Sequence, residues 1–352
     1  LRRRLWELSS LERVRACGRV ARTPDGGAVL RLSGEEGQRT GGFAGLVSCG
    51  SPWACPTCAR KIGARRAQEI RDLVDAVHAA GGACALITLT LRHHRRQPLV
   101  DLWTALNAAW SRVTSARRYR AECEQHGVEG WVRAVEVTRG EGSGWHPHAH
   151  LLVILDGPIS QERLDELAGA WHDRFARALA RRGHESLADH GGLDARLVQA
   201  DDGAGGALGT YLSKIAREVT GGMIKDGRRG SRSPFAILRD GLATGLADDL
   251  EAWWEFERAS HGRRQVTWSR GIRDRYRLAA EETDAEIAEH DLGGEDVLVL
   301  PGETWRAVRD AAEVLLAVAE DEGPAGAARW LRARGLVWTW ARSAPRREPV
   351  GT

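Results

Sequence analysis

Residues 145–155 read Trp-His-Pro-His-Ala-His-Leu-Leu-Val-Ile-Leu, and the reading of the whole chain turns on them. On an extended strand alternate side chains share a face, so His146, His148 and His150 project together, neighbouring pairs about 7 Å apart along the chain. The run Leu151–Leu155 is apolar on both faces, as suits a central strand with the histidines at one end. Two imidazoles so placed converge on one divalent ion, whereas three on one face would make an awkward core and an odd surface. Working outward, Glu136 interrupts the apolar pattern of GWVRAVEVTRG (130–140) and projects from the face opposite to Val135 and Val137. A carboxylate with two imidazoles suits Mg2+ or Mn2+ and leaves positions open for phosphate oxygens. His146 shares the face and is carried as an additional or substitute ligand.

The flanking segments set the fold class. ACALITLTLRH (83–93) is β-branched and alternating, 99–125 has helical spacing, Ser160 N-caps an amphipathic helix over 160–183, and LDARLVQADDG (193–203) is strand-like. The order β-α-β-β-α-β over 83–200 predicts an α+β protein with a central antiparallel, ferredoxin-like sheet and helices on one face. Upstream, 59–82 is a helix with Ile62, Ile70, Leu73, Val74 and Val77 at helical spacing and a stop at Gly81–Gly82. Downstream, 205–222 is helical and 226–241 a Gly/Arg loop without periodicity. Then 246–262 is a helix, 262–276 an Arg-rich connection, and 303–334 two helices separated by EGPAG.

Cysteine spacing adds a second site. Cys49, Cys55 and Cys58 lie within CGSPWACPTC, and Cys17 precedes them. A C-x2-C pair lets two thiolates grip one tetrahedral ion from a tight turn, so these four predict a structural Zn2+ that stabilises a segment poor in apolar residues. A disulfide or a redox pair is the competing reading. Cys84 and Cys123 are read as buried or incidental thiols.

With 352 residues, 42% hydrophobic and 28% charged, the chain has material for two or three domains and is not a disordered polymer. It has no apolar run of the ~20 residues a membrane span needs and no signal-peptide pattern, which predicts a cytoplasmic protein. Only Lys61, Lys214 and Lys225 are lysines, so arginine carries nearly all of the positive charge. The net +3 is uneven: residues 281–322 carry −12 and the rest of the chain +15. A basic body with an acidic appendage fits a phosphate-backbone binder.

Tyrosines are scarce, only Tyr119, Tyr211 and Tyr276, and Tyr211 in GTYLSKIAREV has Lys214 one helical turn later. An ammonium beside a phenol favours the phenolate and can neutralise a phosphate in transfer. An LTLT strand, a glutamate in a second strand, an HPHAH strand and a Y-x-x-K helix, in that order, resemble the HUH endonucleases that start rolling-circle replication. The likeness is closest to the initiators of actinobacterial plasmids and integrative conjugative elements. It extends over most of residues 10–280 and includes CGSPWACPTC, SPFAILRDG and GRRQVTWSRGIR.

The resemblance implies that His148 and His150 of the His-hydrophobe-His motif, with Glu136, hold the metal, and that Tyr211 attacks a phosphodiester of single-stranded origin DNA. The products would be a 5′-phosphotyrosine and a free 3′-hydroxyl, with Lys214 stabilising charge. Origin duplex would be gripped by the zinc module and by the Arg-rich stretches, with Arg228, Arg229, Arg232, Arg263 and Arg264 as contacts. A host helicase, polymerase and single-strand-binding protein are the implied partners. The expected organisation is a zinc module over 1–62, the HUH domain over 63–222, an Arg-rich, helical DNA-binding extension over 223–290 and a helical region over 291–352. One departure is Ala207, where some of these initiators have a glutamate for terminating cleavage; a second subunit's tyrosine, Glu218, Asp201 or Asp202 stand open for that role. A relaxase or transposase with the same chemistry, and a non-catalytic zinc-containing DNA-binding regulator, are the alternative functions.

Overall fold

The computed structural model describes residues 1–23, 26–198, 230–290 and 293–341. The chain divides into two compact units, a larger one of Ser51–Ile287 and a smaller one made of Arg2–Gly50 together with the chain from Ala288 onward. The smaller unit begins with helices α1 (Leu5–Leu8) and α2 (Glu12–Ala16) and continues into strands β1 (Ala28–Ser33) and β2 (Thr40–Ala44), which pair antiparallel.

The larger unit opens with α3 (Pro56–Ala79), whose first turn takes Pro because the N–H it lacks would have no helical partner there. Ile62, Ile70, Leu73, Val74 and Val77 are buried along one side, as the helical spacing predicts. Then come β3 (Ala83–Thr90), α4 (Leu99–Thr114), α5 (Arg117–His126), β4 (Val128–Gly140), β5 (Gly144–Leu155), α6 (Gln161–Ala180) and β6 (Leu193–Val198). The strands lie in the order β6-β3-β5-β4 and every pairing is antiparallel, the ferredoxin-like arrangement that the sequence predicts. The spacing over 99–125 predicts one helix; there are two, because Ala116 is extended (φ −68°, ψ 141°). The unit continues with β7 (Ser231–Arg232), α7 (Pro234–Thr244), α8 (Ala247–Ser260), β8 (Val266–Trp268) and α9 (Ile272–Arg275), and both β7 and β8 pair with β4. Part of the aperiodic 226–241 stretch is therefore not loop but helix α7, capped by Ser233, whose Oγ accepts from Ala236 N at 3.3 Å.

The two faces of this sheet are packed differently. Val132, Ala134, Leu152 and Ile154 point toward α3 in one apolar cluster. On the other face Trp131 meets Trp110 of α4 edge-on at 5.2 Å, and Trp110 in turn meets Trp171 of α6 at 5.8 Å. β5 is buried along almost its whole length, which explains why Leu151–Leu155 has no polar side.

After α10 (Asp284–Glu289) the chain adds β9 (Glu295–Leu300), α11 (Gly302–Val308), α12 (Ala312–Arg332) and β10 (Thr339–Trp340). β9 pairs with β1, so the smaller unit's sheet runs β10-β9-β1-β2 and joins the two ends of the chain. The sequence predicts separate modules over 1–62 and 291–352, the second of them helical; instead strands from both stretches share one sheet. Its core is Leu30, Leu298, Leu300, Trp305 and Leu315. The predicted break at EGPAG is a kink inside α12, at Gly323 with φ 70° and Pro324 after it. Among the described residues no helix is long and apolar enough to cross a membrane.

Candidate metal centre

The hairpin β4–β5 sets the site by its register. Glu136 lies opposite His148, Ala134 opposite His150, and Thr88 of β3 on the other side of His150. With a side-chain period of two, Glu136, His148, His150 and Thr88 therefore share one face. Glu136 Oε2 lies 2.8 Å from His148 Nε2 and 2.9 Å from His150 Nε2. Both rings are almost out of solvent, at 8% and 7% exposure.

The far side of each ring is held as well. His150 Nδ1 is 3.0 Å from Thr88 Oγ1, and His148 Nδ1 is 3.3 Å from the main-chain oxygen of His146. A carbonyl oxygen only accepts, so His148 Nδ1 carries the hydrogen and, in the neutral ring, Nε2 turns its lone pair toward the carboxylate. Burial raises the Glu136 carboxyl, but His148 and His150 outweigh it and hold the group well below the usual carboxylate range. Lone pairs aimed at a carboxylate need a cation between them, either a proton or a metal ion. Ligands at right angles around an ion with ~2.1 Å bonds are about 3 Å apart, close to the spacings seen here, so these residues fit a small divalent ion.

His146, the third histidine of the stretch, turns to a different partner. Its Nδ1 is 2.6 Å from His93 Nε2, and His93 Nδ1 donates to the Ser143 carbonyl at 2.9 Å. Burial, then His148 and His93, pushes the His146 imidazole down to about 3, so it stands neutral beside the cradle. The sequence pattern does not single out His93; its only signal is a place directly after the LTLT strand, in LRHH. Gly144 has φ +80°, and a Cβ there would come within 2.8 Å of Arg95 Cα, so the hairpin turn and the 92–98 loop are seated directly on each other.

Cys17 and Cys49 belong to the smaller unit and Cys55 and Cys58 to the larger; all four are buried, within each pair the sulfurs are no more than 4.8 Å apart, and none is in a disulfide. Within the larger unit, among the described residues, the donor set compatible with a metal is Glu136 with His148 and His150. Arg232 is held by Asp249 through two bonds of 2.7 and 2.6 Å. Arg263 lies over the Trp103 ring and donates to Thr104 Oγ1 at 3.1 Å, and Arg264 is 3.8 Å from Glu281. Tyr211, Lys214, Arg228, Arg229 and the positions 201, 202, 207 and 218 lie outside the described residues.

Fold and site together define an α+β protein whose central strands carry a two-histidine, one-carboxylate cradle. The family model described as "Replication protein" matches residues 44–303, and the chain belongs to that family. A protein named "Protein rep" from Streptomyces lividans is 30% identical, the match covering 80% of this chain and 76% of that one. A "Neomycin resistance protein" from Streptomyces cyanogenus is 32% identical over 38% of this chain and 39% of its own. No solved structure matches.

Proposed function

We propose that this chain is a replication initiator that nicks single-stranded origin DNA with Tyr211 as nucleophile. The observation that carries the reading is the convergence of His148 Nε2 and His150 Nε2 on one oxygen of Glu136, within a member of a replication-protein family. Mg2+ or Mn2+ held by these three residues would supply Lewis-acid polarisation of a phosphate oxygen. The chain's own groups do the rest. Thr88 and the His146 carbonyl keep the two Nε2 atoms aimed inward. Tyr211 exchanges its O–H bond for an O–P bond, the P–O3′ bond breaks, and the departing 3′ oxygen takes up a proton. Lys214 steadies the negative charge that passes through the transferring group.

The other two tyrosines are poorly suited to that role. Tyr119 OH accepts from Trp131 Nε1 at 3.1 Å, and burial raises its hydroxyl, which disfavours the phenolate. Tyr276 OH donates to Glu129, and burial, reinforced by that carboxylate, pushes it up to about 12. Both sit at the Glu129–Trp131 end of β4, roughly 17 Å or more along the strand from Glu136. Zinc on Cys17, Cys49, Cys55 and Cys58 is part of the same reading, as are origin DNA and the host replication enzymes as partners.

The test is a covalent adduct, stable in SDS and dependent on Mg2+ or Mn2+, with single-stranded oligonucleotides tiled across the element's own origin. Tyr211→Phe conserves the ring and removes one oxygen. It should keep fold and DNA binding while losing both nick and adduct. An adduct formed at the normal rate by the Phe variant, or mapped to Tyr119 or Tyr276, would overturn the assignment.

A further inference from the structure

Beside the cradle the larger unit has an open cleft of about 680 Å3, walled by the 95–98 loop, Arg139 near the end of β4, and α8. Four arginines face it, Arg95, Arg96, Arg139 and Arg258, against Asp248, Glu251 and Glu255. The acids do not cancel the arginines by pairing. Glu255 accepts from Leu99 N and from Trp145 Nε1, each at 2.8 Å, and so serves as a structural tie. Arg95, Arg96 and Arg258 form no ion pair or side-chain hydrogen bond among the described residues, and Arg139 lies over the Trp145 ring at 5.7 Å.

The cleft is rigidly joined to the metal centre. Arg95 follows His93, which bonds His146, and its main chain is seated on Gly144 of the hairpin turn. Arg139 is three residues beyond Glu136, about 10 Å along the strand, and projects from the opposite face. The cleft therefore opens round the end of the strands, where a chain leaving the cradle would pass. Unpaired guanidinium groups on a fixed frame are phosphate ligands, and an aromatic wall, here Trp254, offers a surface for a base.

We propose that this cleft holds the sugar–phosphate backbone of single-stranded DNA next to the scissile position, with Arg95, Arg96, Arg139 and Arg258 as phosphate contacts. The inference rests on the reading of the cradle as a DNA-nicking centre. Its test is the affinity of the full chain for a fluorescent oligo-dT, measured across KCl concentrations. Arg95→Gln with Arg96→Gln should flatten the log–log salt slope by about 1.4, the share of two single-strand phosphate contacts, and Arg258→Gln by about 0.7. Melting temperatures should not move, since these side chains support no other group. Arg117→Gln with Arg118→Gln, an exposed pair on α5, removes equal charge elsewhere and should leave the slope as it was. An unchanged slope in the cleft variants, or an equal change in the α5 pair, would remove the cleft while leaving the nicking reading intact. A wild-type chain that binds no single strand would remove both.

Discussion

On one face of the larger sheet, Val132 and Ala134 of β4 and Leu152 and Ile154 of β5 close an apolar cluster with Ile70, Leu73, Val74 and Val77 of α3. One pleat further along the same strands, the equivalent positions are Glu136, His148 and His150. The backbone is continuous and the register unbroken between the two ends, yet one end is filled with groups that attract each other's company by leaving water. The other gathers lone pairs and a carboxylate that without a cation would separate. The difference assigns the work: the apolar end fixes the strands, and the polar end is held in place by them.

The largest effect should come from the polar end. Glu136→Ala leaves two imidazoles with no carboxylate between them, so Mn2+ binding by titration calorimetry should fall below detection and nicking should drop by about 10^3-fold. The melting temperature of the metal-free protein should fall modestly, because the ionised carboxylate that His148 and His150 hold below its usual range stabilises the fold near neutral pH and is now gone. Metal affinity and nicking at wild-type levels would mean that the ion sits elsewhere. At the apolar end the large loss falls on stability and not on metal binding. Leu152 is fully buried, opposite Val132 and Leu86, and Leu152→Ala should lower stability by about 3 kcal/mol in urea unfolding. The fraction still folded should keep its Mn2+ affinity. A stability loss under about 1 kcal/mol would show that the α3 cluster is not what holds the strands.

The same contrast explains what is legible in the sequence. β4 and β5 are a hairpin, so Glu136 and His148 are twelve residues apart, and the strand period of two is enough to place both on one face. His93 meets His146 across 53 residues, and nothing in local spacing announces that. The smaller unit is the least legible. β9 contains four apolar residues in six, and its partner β1 lies some 265 residues away, as the Arg31–Asp296 pair shows. A short strand whose pairing is that distant leaves no local signature. Arg232 illustrates a different limit: composition shows a basic residue in an Arg-rich stretch, but only the fold shows that Asp249 already holds it. α7 is hidden because its buried face is short and carries Gly241, while the Ser-Pro that starts it is equally at home in a turn.

The smallest effect tests how far the apolar frame alone determines the site. Thr88 comes from β3, a third strand, and its Oγ1 is the group 3.0 Å from His150 Nδ1. A hydroxyl donates or accepts, so Thr88 serves either tautomer of the ring: it accepts from Nδ1–H when Nε2 must offer a lone pair to a metal, and donates when Nε2–H faces Glu136. Thr88→Val keeps the branched shape and removes that choice. If the hydrogen bond orients the imidazole, Mn2+ affinity should fall by about 10- to 100-fold, with stability changed by about 1 kcal/mol, and nicking should recover at raised Mn2+. Thr88→Ser, which keeps the hydroxyl and loses a methyl, should restore most of the affinity. An unchanged Mn2+ affinity in the Val variant would give the ring's orientation to strand packing alone, and the apolar end of the face would then account for the geometry of the polar one without help from its neighbours.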